Sequence, residues 1–181
     1  LSSSSAASDV YKRQLPIIAD VAIASNKAKG KADIVVHENQ NNQMEEIFRS
    51  MRTNLQFMLK EGQKVVLFTS STSGEGKTFN AANLSVSFGL LGKKVILVGL
   101  DIRRPRLAEL FGINDHKHGI TNLLVKDNPT IEDIYEQILP SGVNKNLDLL
   151  MAGPIPPNPA ELIARNSLDI IINLLKEKYD Y

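Results

Sequence analysis

Cysteine is missing from this chain, which excludes a disulfide framework, a thiol nucleophile and a cysteine-based zinc site, and fits a reducing compartment. An excess of charge is missing too. With 21 Lys and Arg against 20 Asp and Glu, the net charge is +1, so bulk charge gives no reason to expect a nucleic-acid partner. Histidine is scarce: only His37, His116 and His118. The last two lie in an Asn-Asp-His-Lys-His-Gly stretch that reads as a solvated turn rather than a metal pair. No apolar run approaches the ~20 residues of a membrane span. The 181 residues suffice for one domain with a core and are expected to be soluble.

What is present centres on one loop. Ser70-Ser71-Thr72-Ser73-Gly74-Glu75-Gly76-Lys77-Thr78 follows a β-type run, Lys64 to Thr69, and precedes an amphipathic helix. A strand, a small-residue loop and Gly-Lys-Thr opening a helix is the arrangement that holds nucleotide phosphates. Gly74 and Gly76 let backbone N–H groups approach a polyphosphate, and the helix N-terminus adds positive potential. Lys77 is expected to reach the β- and γ-phosphates, and the Thr78 hydroxyl to ligand Mg²⁺. The strict pattern wants Gly at position 71, where this chain has Ser. The expected contacts to ATP or ADP are Thr72, Ser73, Gly74, Glu75, Gly76, Lys77, Thr78 and Phe79.

The rest of the sequence alternates helix and strand. Residues 1–14 are Ser/Ala-rich and read as a non-native or disordered leader. Residues 15–43 read as an extended lead-in and polar connector, and 44–181 as the main domain. Met44, Ile47, Phe48, Met51, Leu55, Met58 and Leu59 fall on one helical stripe, flanked by a row of Glu46, Arg49 and Arg52. That row is either a solvated face carrying an ion pair or an assembly surface. Ala81, Leu84, Phe88 and Leu91 mark the buried face of a helix, and Lys94 to Leu100 is a strand buried on both faces. Pro105 precedes a short helix closed by Gly112, Thr130 caps another, and Leu147 to Met151 is a third strand. Asn158-Pro159-Ala160-Glu161 starts a helix, and Leu168, Ile171, Ile172 and Leu175 align on the last one. The expected fold is α/β, a P-loop NTPase-like parallel sheet covered by helices on both faces. With so few strands, the sequence is expected to be a fragment.

Strand two runs into Gly99-Leu100-Asp101-Ile102-Arg103-Arg104-Pro105-Arg106. An Asp at the carboxyl end of a parallel strand sits where ligands bind in such sheets. Asp101 could hold Mg²⁺ or accept a proton from an attacking hydroxyl; alternatively it caps a turn and pairs with an arginine. Arg103, Arg104 and Arg106 could meet phosphate, another copy, or solvent alone.

Four motifs in order resemble the cytoplasmic kinase domain of bacterial protein-tyrosine kinases, the capsular and exopolysaccharide enzymes, over roughly Leu15 to Tyr181. They are Glu46-x-x-Arg49-x-x-Arg52, Ser73 to Thr78 (Walker A), Asp101-x-Arg103-x-Pro105 (Walker A′), and Gly153-Pro154-Ile155-Pro156-Pro157-Asn158-Pro159-Ala160-Glu161-Leu162. The resemblance implies transfer of the ATP γ-phosphate to tyrosines of neighbouring copies. It assigns catalysis to Lys77, Asp101 and Arg103, and Mg²⁺ binding to Thr78 and Asp101. It implies a ring oligomer packed through Glu46, Arg49 and Arg52. The implied setting is the cytoplasmic face of the bacterial inner membrane, tethered to a polysaccharide co-polymerase region or partner. Two departures stand out. The family's first Walker A′ aspartate is Gly99 here, and its Walker B strand and tyrosine-rich tail would lie past Tyr181. The rivals are a partition- or division-type ATPase, which would carry lysine at the place of Thr72, and a non-catalytic nucleotide-binding assembly module.

Overall fold

The computed structural model describes residues 16–21, 34–38, 42–72, 74 and 76–181. The leader, Leu15, most of the connector, and Ser73 and Glu75 of the phosphate loop lie outside the described residues.

Helix α1 (Gln43–Met58) begins where the Asn42 side chain accepts a hydrogen bond from the Glu45 N–H at 2.8 Å. This cap satisfies a donor that the first turn leaves free. Phe48, Met51 and Leu55 bury the predicted stripe and Leu59, just past the helix end, packs partly buried against the same core, whereas Met58 is exposed. Helix α2 (Lys77–Leu90) lies between α1 and the sheet and is buried around most of its circumference. Phe48 of α1 meets Phe79 of α2 edge-on, with ring centroids 5.8 Å apart. Leu91, expected on the buried face, is exposed just beyond the helix end.

Among the described residues the sheet has three strands: β1 (Val95–Val98), β2 (Leu139–Pro140) and β3 (Leu147–Leu150), in the order β1-β3-β2. β1 and β3 run parallel, with Val95 opposite Leu147 and Val98 opposite Leu150. β2 is a short antiparallel edge, so the sheet is mixed rather than wholly parallel. Alternate side chains point to opposite faces. Leu147 and Leu149 enter one core with Leu84, Phe88 and the α1 stripe. Leu150 enters a second with Ile102, Ile120, Ile134, Ile171 and Leu175. That second core is closed by four helices, α4 (Thr121–Leu124), α5 (Ile131–Gln137), α6 (Pro159–Ile163) and α7 (Asn166–Lys178), so helices cover both faces. Short α3 (Leu107–Phe111) follows Pro105 and closes on Gly112, at φ 64°. The Thr130 cap is a full capping box with Asp133. Asn158, by contrast, makes no side-chain cap: its amide donates to Glu161 Oε2 at 2.7 Å instead.

The expected strand at Lys64 to Thr69 does not join the sheet. Val65 and Leu67 are 55% and 75% exposed. The physical reason is a missing neighbour: a strand needs a partner about 4.8 Å away to pair its backbone. Here a largely apolar cavity of about 530 Å³ lies between Val65–Phe68 and the free edge of β1. At one end of that cavity, Tyr181 donates to the Lys94 carbonyl and accepts from the Ile96 N–H, at 3.2 and 3.1 Å. Those two bonds are one rung of a parallel pairing with Tyr181 opposite Val95. Across the cavity, Lys64 Nζ donates to the carbonyls of Lys176 and Tyr179 at 2.9 and 3.2 Å.

Candidate nucleotide-phosphate site

The N-terminus of α2 is preceded by Gly76, which has φ 84° and offers no side chain to cap the helix. The first intrahelical bond runs from the Asn80 N–H to the Gly76 carbonyl at 2.9 Å. The N–H groups of Lys77, Thr78 and Phe79 therefore have no partner within the helix, and together they favour an anion. Gly74 also adopts positive φ, at 89°, in open space. Ser70 Oγ donates to the Thr72 carbonyl at 2.9 Å on the way in.

Strand β1 delivers the second half of the site. Beyond Val98, the Gly99 N–H donates to the Leu150 carbonyl at 2.9 Å, which holds the chain to the sheet for one more residue. Asp101 then emerges with its side chain 47% exposed, and its Oδ2 lies 3.8 Å from Lys77 Nζ. Asp101 Oδ1 accepts from the Arg104 N–H at 3.2 Å. The turn-cap expectation for Asp101 is met through the Arg104 backbone N–H rather than an arginine side chain, and its other oxygen faces the lysine. Fully buried Ile102 pins this segment into the second core. Arg103 is exposed. A Cβ placed on Gly99 would lie 3.3 Å from the Ala152 N and 3.6 Å from Leu107 Cδ2, so an aspartate there would need its neighbours to give slightly.

The third wall comes from the end of β3. Gly119 and Gly153 cross in backbone contact: a Cβ on Gly119 would meet the Gly153 N at 2.2 Å. The Thr121 hydroxyl then donates to the Pro154 carbonyl at 2.9 Å. This crossing brings the proline-rich turn to the same sheet edge, where Lys77, Thr78, Asp101, Arg106, Gly153 and Ile155 line one cavity mouth.

An uncapped helix N-terminus, a lysine and a carboxylate converging beside an open loop suit a polyanion with a divalent cation. The residues present therefore fit a Mg²⁺-nucleotide. Phe79 divides in two: its ring belongs to the core, and only its N–H belongs to the site. Sequence reasoning missed Asn80. Its Oδ1 is buried without a hydrogen-bond donor and its Nδ2 would lie 3.6 Å from a Cβ on Gly76, directly under the loop.

No family profile matches the chain, but individual relatives do. Over 120 residues it is 42% identical to the tyrosine-protein kinase YwqD of Bacillus subtilis, covering 66% of this chain and 48% of that one. Over 158 residues it is 34% identical to the "Putative tyrosine-protein kinase CapB" of Staphylococcus aureus, covering 85% of this chain and 67% of that one. A solved structure of the chimerical protein CapA2B2 superposes with a TM-score of 0.79 at 30% identity, covering 96% of this chain and 72% of that one. This chain belongs to the bacterial tyrosine-protein kinase family. Its fold is the α/β P-loop fold of those kinase domains, and the aligned residues span about half of YwqD and two thirds of CapB.

The charged row Glu46, Arg49 and Arg52 lies on α1. Arg49 pairs with Glu46 at 2.9 Å and with Glu45 at 3.4 Å. Arg52 turns inward: its Nη1 donates to the Ser87 carbonyl at 2.6 Å and to Ser87 Oγ at 3.2 Å. Burial, and secondarily the Arg49 charge, pull Arg52 below the ordinary guanidinium pKa. Of the histidines, His118 is held by Asp115, Nδ1 to Oδ2 at 2.7 Å. Among the described residues no cluster of three or more His, Asp and Glu could hold a metal ion, and no helix is long and apolar enough to cross a membrane.

Proposed function

We propose that this chain is the nucleotide-binding part of a protein-tyrosine kinase that transfers the γ-phosphoryl group of ATP to tyrosine. The observation that carries the proposal is the 3.8 Å approach of Lys77 to Asp101 beside the uncapped start of α2. Membership of the family supports it. In this reading, the N–H groups of Gly74, Gly76, Lys77, Thr78 and Phe79 cradle the phosphates. Thr72, and Ser73 and Glu75 outside the described residues, complete the loop. Lys77 neutralises charge that builds on the transferred group. Thr78 and Asp101 would hold Mg²⁺, which supplies charge neutralisation across the phosphates when bound. The tyrosine Oη bonds to the γ-phosphorus as the bond to the ADP oxygen breaks, and the alternative role for Asp101, in place of holding the metal, is to take the phenolic proton. Arg103, exposed on the same loop, is assigned to the leaving or transferred phosphate.

Assembly is part of the same proposal. Glu46 and Arg49 lie exposed on α1, where they can meet another copy and build the ring, while Arg52 stiffens α1 against α2 from within. We place the assembled protein at the cytoplasmic face of the inner membrane with a polysaccharide co-polymerase partner, a setting that rests on the resemblance of its motifs. Substituting Lys77→Met tests the central reading. The variant is expected to lose Mg·ADP binding by calorimetry at least tenfold while keeping its thermal melt, because the half-exposed ammonium supports no packing. Unchanged nucleotide affinity in that variant, or no nucleotide binding by the parent chain, would overturn it.

A further inference from the structure

Asp101 is followed by an arginine strip of which only Arg103 is assigned a role at the transferred phosphate. Arg103, Arg104 and Arg106 are all exposed, and among the described residues none of them makes an ion pair. The strip is held at both ends. Ile102 is buried in the core on one side of the sheet and Leu107 in the core on the other. Between those anchors, Pro105 restricts the backbone and the Arg104 N–H is bonded to Asp101. Nearby carboxylates are already engaged: Asp101 with Lys77, and Asp115 with His118 and with the Lys117 and His118 N–H groups. Among the described residues of this rim only Glu109, exposed on α3, remains without an ion pair. Among those residues three guanidiniums therefore face solvent against one free carboxylate, in a chain whose overall charge is only +1.

We infer that Arg104 and Arg106 dock the acidic side chains that flank an acceptor tyrosine, so that the substrate class is a tyrosine in a Glu/Asp-rich peptide segment. This rests on the kinase reading for its purpose but not for its test. A guanidinium forms paired hydrogen bonds with a carboxylate and, being rigidly forked, is suited to reading one. Arg106 also lines the same cavity as Lys77 and Asp101. A segment gripped there presents its tyrosine toward the phosphate loop rather than toward the α1 face. Exposed charges of this kind set partner choice and encounter more than raw affinity, and they weaken in salt.

The test is direct binding, which needs no turnover. Two fluorescein-labelled peptides, a tyrosine flanked by glutamates and the same peptide flanked by serines, are titrated with the full chain in Mg·ADP by anisotropy. At low salt the glutamate peptide is expected to bind about tenfold tighter, a preference that shrinks severalfold at 0.3 M salt. R104E/R106E is expected to erase the preference to within about twofold, with R104Q/R106Q intermediate, while Mg·ADP affinity falls by a smaller factor than the peptide preference does. Equal binding of the two peptides, or a preference that survives R104E/R106E, overturns the inference. So does parallel loss of Mg·ADP affinity, which would assign the guanidiniums to the nucleotide. A chain that grips the glutamate peptide but fails to bind nucleotide would sink the kinase reading and leave the docking strip standing.

Discussion

Replacing Gly119 with alanine should unfold the third wall of the site. The added Cβ would lie 2.2 Å from the Gly153 N, 2.4 Å from its Cα and 2.5 Å from the Ala152 carbonyl carbon, all of them backbone atoms. Flexible side chains could swing away from such a contact; these atoms cannot. Ala152 is buried, and Thr121 N–H is bonded to its carbonyl at 3.1 Å. Relief therefore requires the Gly153 turn to move by about an ångström, breaking that bond and the Thr121–Pro154 bond with it. Overpacking alone costs about 1–3 kcal/mol, and each lost hydrogen bond about 1 kcal/mol. The expected total is about 4 kcal/mol, a large share of the 5–15 kcal/mol that holds a typical domain. Gly142→Ala is the control: it has positive φ, 74°, but nothing within 4 Å, so backbone strain alone sets its cost at about 1 kcal/mol. Urea denaturation monitored by circular dichroism measures both. If Gly119→Ala unfolds within 1 kcal/mol of the parent, or costs no more than Gly142→Ala, the backbone crossing is not what holds the turn.

Leu67→Asn in the segment before the phosphate loop should cost under about 0.5 kcal/mol, since that side chain is already 75% exposed. Leu149→Ala in β3 should cost about 2–5 kcal/mol; comparable losses for the two would show that residues 64–69 pair with the sheet after all. Acid should destabilise the chain in a defined window. Asp115 is held down to about 2 mainly by the His118 N–H, and Asp133 to about 2 mainly by the Lys126 ammonium and then the Thr130 N–H. Because both folded values lie below the ordinary 3.8, their contribution is intact above about pH 4 and lost as pH falls toward 2. Urea midpoints should therefore drop over that interval, and Asp133→Asn should flatten part of the drop; a midpoint constant from pH 5 to 2 would contradict the assignment.

Features written in consecutive residues were legible in the sequence. The Gly76-Lys77-Thr78 helix start, the β1 run, the Gly112 stop and the Thr130 cap depend on local backbone preference and hydrogen bonds that neighbours in sequence supply. Features that depend on a distant partner were not. Ile138 fits the α5 period, and only the ladder to β3 reveals that Leu139 and Pro140 begin an antiparallel edge. Arg52 stands in a regular charged row on α1, yet it bonds to Ser87 because α2 happens to end beneath it. The Gly119–Gly153 crossing carries no signal at either residue alone. Asn80 had a weak signal, a polar residue one turn into a buried helix, which could have marked it.

The segment from Lys64 to Thr69 joins these two categories, and it bears on how the phosphate site works. Its β-rich sequence is real, but a ladder is a property of two strands, and the cavity beside it holds none. Its far end runs directly into Ser70 and Thr72, at the entry to the candidate phosphate loop. Lys77 and Asp101, by contrast, are set by α2 and β1, which pack against each other across the first core. The cation and the carboxylate of the candidate site are thus held 3.8 Å apart by two elements that pack on one another.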